Sequence, residues 1–137
     1  MNITLVPVAN VDEIWPLISE RVDACLEKAP GAISAGQYWT MCRSGEAFLI
    51  IAVDETGIHG VTIWKFSEEY FECLLLFGMP GRNADGWYGE IMNFARQLAT
   101  QNGCKGIAGT GRLGHVRRVK AQFPSMKIVR QTYIVEA

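Results

Sequence analysis

Three consecutive strand-like runs in the middle of the chain constrain the fold more than any other feature. Residues 47–53 are continuously apolar, residues 58–66 alternate more weakly, and residues 70–77 are again aromatic and aliphatic. Glu55-Thr56-Gly57 marks the first bend and the acidic Ser67-Glu68-Glu69 the second. Strand formers bounded this closely by turn formers read as an antiparallel meander. Before it, residues 3–8 are a short β-branched run, and Val11, Ile14, Trp15, Ile18, Val22, Cys25 and Leu26 then recur at three- and four-residue steps. That is a strand followed by an amphipathic helix. Asn10 or Asp12 can cap this helix, Pro16 is tolerated in or near its first turn, and Pro30-Gly31 ends it. Ser34-x-x-Gln37 has the form of a capping box, which predicts a second short helix through Trp39, Met41 and Cys42 up to Ser44-Gly45.

Behind the meander, Gly78-Met79-Pro80-Gly81-Arg82-Asn83-Ala84-Asp85-Gly86 is a loop by its breaker residues. Trp87, Ile91, Phe94, Ala95 and Leu98 fall on one helical face that ends at Asn102-Gly103. A strand over residues 104–110, a basic helix over 113–122 and a final strand over 126–135 complete the order. Strand, two helices, three strands, helix, strand, helix, strand make a mixed α/β (α+β) chain. No repeat or linker interrupts it, so residues 1–137 are expected to form one domain. A composition that is 49% hydrophobic and 20% charged excludes a disordered or low-complexity protein. The longest apolar runs fall far short of the roughly 20 residues needed to span a bilayer. Residues 1–10 carry no basic start or long apolar middle, so the expected address is the cytoplasm.

Charge is distributed unevenly. Residues 91–135 hold eight bases (Arg96, Lys105, Arg112, Arg117, Arg118, Lys120, Lys127, Arg130) and no acid, whereas residues 1–90 hold thirteen acids against five bases. The C-terminal half therefore favours anions. Cys25, Cys42, Cys73 and Cys104 form no Cys-x-x-Cys pair, and with His59 and His115 they make a poor zinc or redox set, so no metal is expected. Small free cysteines are ordinarily buried hydrophobes. His59 reads as a strand-edge residue and His115, among Arg112, Arg117 and Arg118, as part of an anion-binding or solvated surface. Nucleic acid competes for the basic helix, but a net charge of -1 argues against strong non-specific binding. Trp39, Trp64, Tyr70 and Trp87 could stack bases, although such tryptophans more often wall a core or a groove.

The strongest candidate site is the loop over residues 78–89. A glycine-rich turn feeding a helix N-terminus presents backbone amides and a positive dipole end to phosphate. Arg82 could add a charge-assisted contact and the basic half a second one. Asp85 at the mouth would repel an anion, and is itself explained as a helix N-cap.

The order of elements and the position of this loop resemble the GCN5-related N-acetyltransferase (GNAT) superfamily over nearly the whole chain. The resemblance implies a mixed, mostly antiparallel sheet flanked by about four helices, and a strand that splays from its neighbour after the meander. In that family a Gln/Arg-x-x-Gly-x-Gly/Ala turn holds the pyrophosphate of acetyl coenzyme A. The matching stretch here is Arg82-Asn83-Ala84-Asp85-Gly86-Trp87, with Asp85 in place of the middle glycine, Trp87 in place of the final small residue, and Gly86 and Gly89 as displaced neighbours. Phe94-Ala95-Arg96, Asn102-Gly103-Cys104 and the run Gly111-Arg112-Leu113-Gly114-His115-Val116-Arg117-Arg118, with Phe123 behind it, are similar to small GNAT-like proteins of tailed phages.

The resemblance implies acetyl coenzyme A as cofactor, an amine as acceptor and direct acetyl transfer. It gives Leu76, Phe77 and Gly78 the pantetheine arm, and Arg82, Gly86, Trp87, Gly89 and Arg112 the phosphates. Glu72 becomes the base if it points into the cleft, and a solvent-facing strand residue if not. Arg118 stands where the family often has a tyrosine acid, and Tyr133 substitutes only if its hydroxyl reaches the same place. The alternative keeps the fold and drops the reaction: a phage accessory protein in the host cytoplasm whose basic face binds a host protein or nucleic acid. A free final strand would also admit a homodimer. Convergence of Glu72 and the amides near Gly86 on one open cleft separates the two readings from a cleft filled by Trp87.

Overall fold

The structure is a computed structural model that describes residues 1–28, 33–110, 113–129 and 132–136, with backbone only at 110, 113–116, 127–129, 132 and 133. Among these residues the strands are β1 (Asn2–Leu5), β2 (Phe48–Asp54), β3 (Gly57–Phe66), β4 (Tyr70–Gly78), β5 (Gly106–Thr110), β6 (Lys127–Val129) and β7 (Thr132–Glu136). The helices are α1 (Val11–Lys28), α2 (Ala35–Ser44), α3 (Tyr88–Gln101) and α4 (Leu113–Gln122). The strands form one sheet in the order β1-β2-β3-β4-β5-β7-β6. The β4–β5 pair is parallel and every other pair antiparallel.

Both faces of the sheet are covered, which is why residues 47–53 are apolar without alternation. Leu49 and Ile51 of β2 pack with Val11, Trp15, Ile18 and Val22 of α1 and Tyr38 and Cys42 of α2. Ile50 and Ala52 point the other way, toward Ile91, Met92, Ala95 and Ala99 of α3 and Val119 of α4. Burying a side chain of this size is worth roughly 1.5–3 kcal/mol, so the two clusters fix which helix lies on which face.

Several expectations change in detail. The first strand stops at Leu5, because Pro7 lacks an amide and the chain turns into a short 3-10 turn at Val8–Asn10 before α1. Neither expected residue caps α1: Asn10 donates to Glu13, and Asp12 accepts from the Trp39 indole at 3.0 Å and pairs with Arg43 at 3.0 Å. Pro16 lies inside α1 on an exposed position, beyond the first turn. The capping box of α2 is present in both directions, and Gly45 closes that helix at φ 80°. The final strand is two, β6 and β7, folded back on each other. Asp85 caps nothing, since it lies in a 3-10 turn over Ala84–Gly86 whose cap is Asn83.

Two devices in β4 shape the cleft. A register shift opposite Ile63 and Trp64 leaves Leu74 as an extra residue, a bulge that flips the facing of the residues after it. Phe71 and Cys73 pack with the α3 cluster, whereas Leu75 and Phe77 pack with the α1 cluster. In addition β5 pairs with β4 only over residues 70–73, so β4 runs on to Gly78 with its far edge open. The Trp87 ring lies flat against the sheet there: a Cβ on Gly60 would sit 2.5 Å from it and one on Gly78 3.3 Å away. Gly60→Ala is therefore expected to displace Trp87 and to lower stability by about 1–3 kcal/mol, read as a shifted urea midpoint with unchanged slope.

Candidate functional site

The open edge of β4 and the loop after it wall a cleft of about 440 Å³ lined by Leu76, Phe77, Gly78, Met79, Pro80, Gly81, Arg82, Ala84, Trp87 and Tyr88, with Arg21 from α1 and Arg118 from α4. The Met79 amide bonds the His59 carbonyl of β3, so the alternation of the ladder turns Phe77 toward β3 and the backbone groups of Leu76 and Gly78 toward the open side. Arg21 Nε donates to the Gly78 carbonyl at 3.1 Å. At the bulge, Tyr38 Oη donates to the Leu74 carbonyl at 3.2 Å, and burial, with Cys73 nearby, raises the Tyr38 pKa. Edge groups that β5 would have taken are thus partly taken by side chains.

Three arginines reach the cleft from three separate elements. The Arg118 guanidinium lies 5.6 Å from the Tyr88 ring centroid and 3.9 Å from Asp85 Oδ1, an exposed and weak pair. Tyr88 is buried, and desolvation raises its pKa well above the usual phenol range. Arg82 turns its guanidinium to the β2–β3 turn. Its Nη1 donates to Thr56 Oγ1 at 2.8 Å and its Nη2 to the Thr56 carbonyl at 2.7 Å.

Loop amides are largely engaged within the loop. The Asp85 amide bonds Asn83 Oδ1 at 2.9 Å, that of Gly86 the Asn83 carbonyl at 3.4 Å, and that of Trp87 the Ala84 carbonyl at 3.2 Å. Trp87 offers no side-chain cap to α3, so the positive end of that helix meets the cleft through Trp87 and Tyr88. Trp87 is only 2% exposed and its Nε1 has no hydrogen-bond partner. It forms the floor of the cleft and leaves it open. Gly89 packs against Gln122, which donates to its carbonyl at 2.8 Å.

Leu76, Phe77, Gly78, Arg82 and Trp87 thus come together, whereas Gly86, Gly89 and Glu72 do not line the cleft. Glu72 stands in the paired part of β4, between Lys65 and Ala108, half-buried and one residue before β5 departs. Because its neighbours Phe71 and Cys73 face α3, Glu72 faces the α1 side. Tyr133 stands opposite Gly109 in the backbone register, but its side chain lies outside the described residues, as do Arg112 and the His115 side chain. His59 is more than an edge residue, pairing with Asp54 Oδ1 at 2.9 Å. None of the four cysteines is in a disulfide; Cys42 is buried, which pushes its thiol up to about 11. Among the described residues no group of three His, Cys, Asp or Glu could hold a metal, and no helix is long and apolar enough to cross a membrane.

Sequence reasoning passed over Arg21, Arg118 and Tyr88 as cleft residues. Arg21 had a signal: it lies three residues after Ile18 and four before Cys25, a cation on the border of an apolar stripe. Arg118 stood among the uncompensated bases, of which Arg96, Lys105 and Lys120 turn to the Glu136 carbonyl, Glu69 and the Pro124 carbonyl.

No protein-family model matches the chain, and no curated protein matches it by sequence. Solved structures match its fold. A GNAT family acetyltransferase from Brucella melitensis in complex with acetyl-CoA superposes with TM-score 0.68 at 14% identity, covering 98% of this chain and 86% of that one. An aminoglycoside acetyltransferase from an uncultured soil metagenomic sample, in complex with sisomicin, gives 0.70 at 12%, covering 93% and 90%. A ribosomal-protein-alanine N-acetyltransferase from Brucella melitensis biovar Abortus 2308 gives 0.69 at 12%, covering 100% of both chains. The fold is the GNAT fold.

Asp54 supplies a pH test of the turn that holds Arg82. Hydrogen bonds from Thr56 and His59 hold its carboxyl below the usual carboxylate range. A depressed folded-state pKa stabilises above the unfolded value, about 3.9, and that contribution is lost as pH falls below it. Asp54→Asn is expected to lose less stability than the parent between pH 4 and pH 2, measured by urea unfolding at each pH.

Proposed function

We propose that the chain binds acetyl coenzyme A in the cleft beside β4 and transfers its acetyl group to an amine. The observation that carries the reading is the meeting, in one cleft on a GNAT fold, of an open strand edge at Leu76 and Gly78 with Arg21, Arg82 and Arg118. A chain of amides and carbonyls suits a strand edge, and a run of phosphates suits clustered guanidiniums. The cofactor supplies an acetyl group activated as a thioester. Leu76 and Gly78 hold its arm, and Arg118 and Arg21 hold its phosphates. Phe77 contributes to the wall on the α1 side, and the Trp87 ring forms the floor. Glu72, one residue before the strands part, stands outside the cleft lining, so it takes the amine proton through water and not by direct contact. The acceptor is the amine of a small molecule or of a protein.

A second reading keeps the fold without the transfer, as in an accessory protein that binds a macromolecule. What favours it is the loop: its amides bond one another, and Asp85, 81% exposed at the side chain, stands at the mouth. Most of the described basic residues of the C-terminal half turn to carbonyls and acids of the chain itself, so among the described residues few cations are left for a nucleic-acid face.

Calorimetric titration with acetyl coenzyme A and coenzyme A tests the first reading. The parent protein is expected to bind both. Arg118→Ala is expected to weaken binding about tenfold or more, the size of a lost hydrogen bond to a charged group, and Asp85→Gly to tighten it at low salt. Absence of binding by the parent and by Asp85→Gly would sink the enzyme reading.

A further inference from the structure

The cleft does not account for the polar cluster on its outer side, at the turn between β2 and β3. Gly57, at φ 121°, bends the chain so that Asp54, Thr56 and His59 face one another. One carboxylate oxygen, Asp54 Oδ1, accepts from the Thr56 amide at 2.8 Å and from the Thr56 hydroxyl at 2.5 Å, and pairs with His59 Nε2 at 2.9 Å. The hydroxyl proton is therefore committed to Asp54, which leaves the lone pairs of Thr56 Oγ1 for Arg82. Arg82 uses both its terminal nitrogens on this one residue, at Oγ1 and at the carbonyl. A planar guanidinium held at two points has one orientation, so the contact sets direction as well as distance.

Arg82 sits in the middle of the loop that walls the cleft, and the loop is clipped to the same hairpin a second time through the Met79 amide on the His59 carbonyl at 2.9 Å. Between these clips the chain turns through Gly81 at φ 76°, closed by the Arg82 amide on the Met79 carbonyl at 3.1 Å. Asp54, Thr56 and His59 do not line the cleft, and what they hold does. We infer that Asp54 and Thr56 are positioning residues: Asp54 orients Thr56, Thr56 takes hold of Arg82, and the loop over residues 79–87 and the start of α3 are thereby fixed in the geometry that receives phosphate. Arg82, the residue that resembles a phosphate ligand in sequence, works here as a brace. The inference rests on the proposed binding of coenzyme A for its consequence, while the brace itself is a property of the ligand-free chain.

Two readouts on Thr56→Val, Thr56→Ser, Arg82→Ala and the Thr56→Val/Arg82→Ala double variant test it. The first is deuterium uptake of peptides over residues 79–87 without ligand, with peptides of α1 and β2 as internal controls. The second is coenzyme A titration. Arg82→Ala and the double variant are expected to raise uptake over 79–87 to the same level, and Thr56→Val, which keeps the Thr56 carbonyl for Nη2, to raise it part of the way, while the controls hold. Arg82→Ala and the double variant are expected to weaken coenzyme A by a similar factor, roughly tenfold, and Thr56→Val by a smaller factor, with the effects failing to add, and Thr56→Ser is expected to restore the parent behaviour. Parent-like uptake in Thr56→Val would overturn the brace. So would a loss of affinity in Arg82→Ala with none in Thr56→Val, which would make Arg82 a direct phosphate ligand. If the parent protein binds no coenzyme A, the proposed function fails on its own and the uptake comparison still decides the brace.

Discussion

The rest of the site depends on β4 losing one neighbour before it ends. A strand in the interior of a sheet needs partners on both sides, because a buried amide or carbonyl left without one costs about as much as a lost hydrogen bond. β5 accompanies β4 only through Cys73, and β4 continues to Gly78 beside β3 alone. Part of the deficit is met by side chains from the helices on one face, Tyr38 of α2 at Leu74 and Arg21 of α1 at Gly78. What remains is a polar edge in an otherwise apolar wall, and that edge is what makes the cleft a place for a ligand with amides of its own.

Charge follows the same geometry. Arginines on α1, on the loop and on α4 approach the edge from separate directions, and each is anchored on one side by a neighbour: Arg21 by Gly78, Arg82 by Thr56, Arg118 by the Tyr88 ring. An arginine has five donors, so Arg21 and Arg118, each with a single anchor, still have others to face the cleft, whereas Arg82 spends both terminal nitrogens on Thr56. Tyr88 is buried beneath one of them and Trp87 forms the floor, which lowers the local polarity and strengthens any charge pairing made there.

Some of this was legible in the chain. The meander, the capping box at Ser34 and Gln37, the breaker-rich loop and the helix behind it follow from local spacing and turn chemistry, and they stand in the structure close to where those rules put them. The anion preference of the C-terminal half was legible as a sum, but not the fate of each base, since a lysine aimed at a carbonyl and one aimed at a ligand have the same sequence. Arg82 shows this most clearly. Its place in the glycine-rich loop, and its match to the first position of the turn that the resemblance implies, suggest a phosphate ligand, whereas its partner is twenty-six residues upstream, on a hairpin brought alongside only by strand pairing. Asp85 read as a helix cap because capping propensity is local, and the cap went to Asn83 because a 3-10 turn intervened.

Local physics thus determined the elements, their order and the two-sided burial of the central strands, because periodicity and turn residues act over a few positions and a continuous apolar run needs cover on both faces. Tertiary structure alone decided where β5 leaves β4, that Leu74 bulges, that Trp87 lies flat on Gly60, and which arginines meet. Each of these is a contact between residues distant in the chain, and its energy depends on packing that no single segment carries.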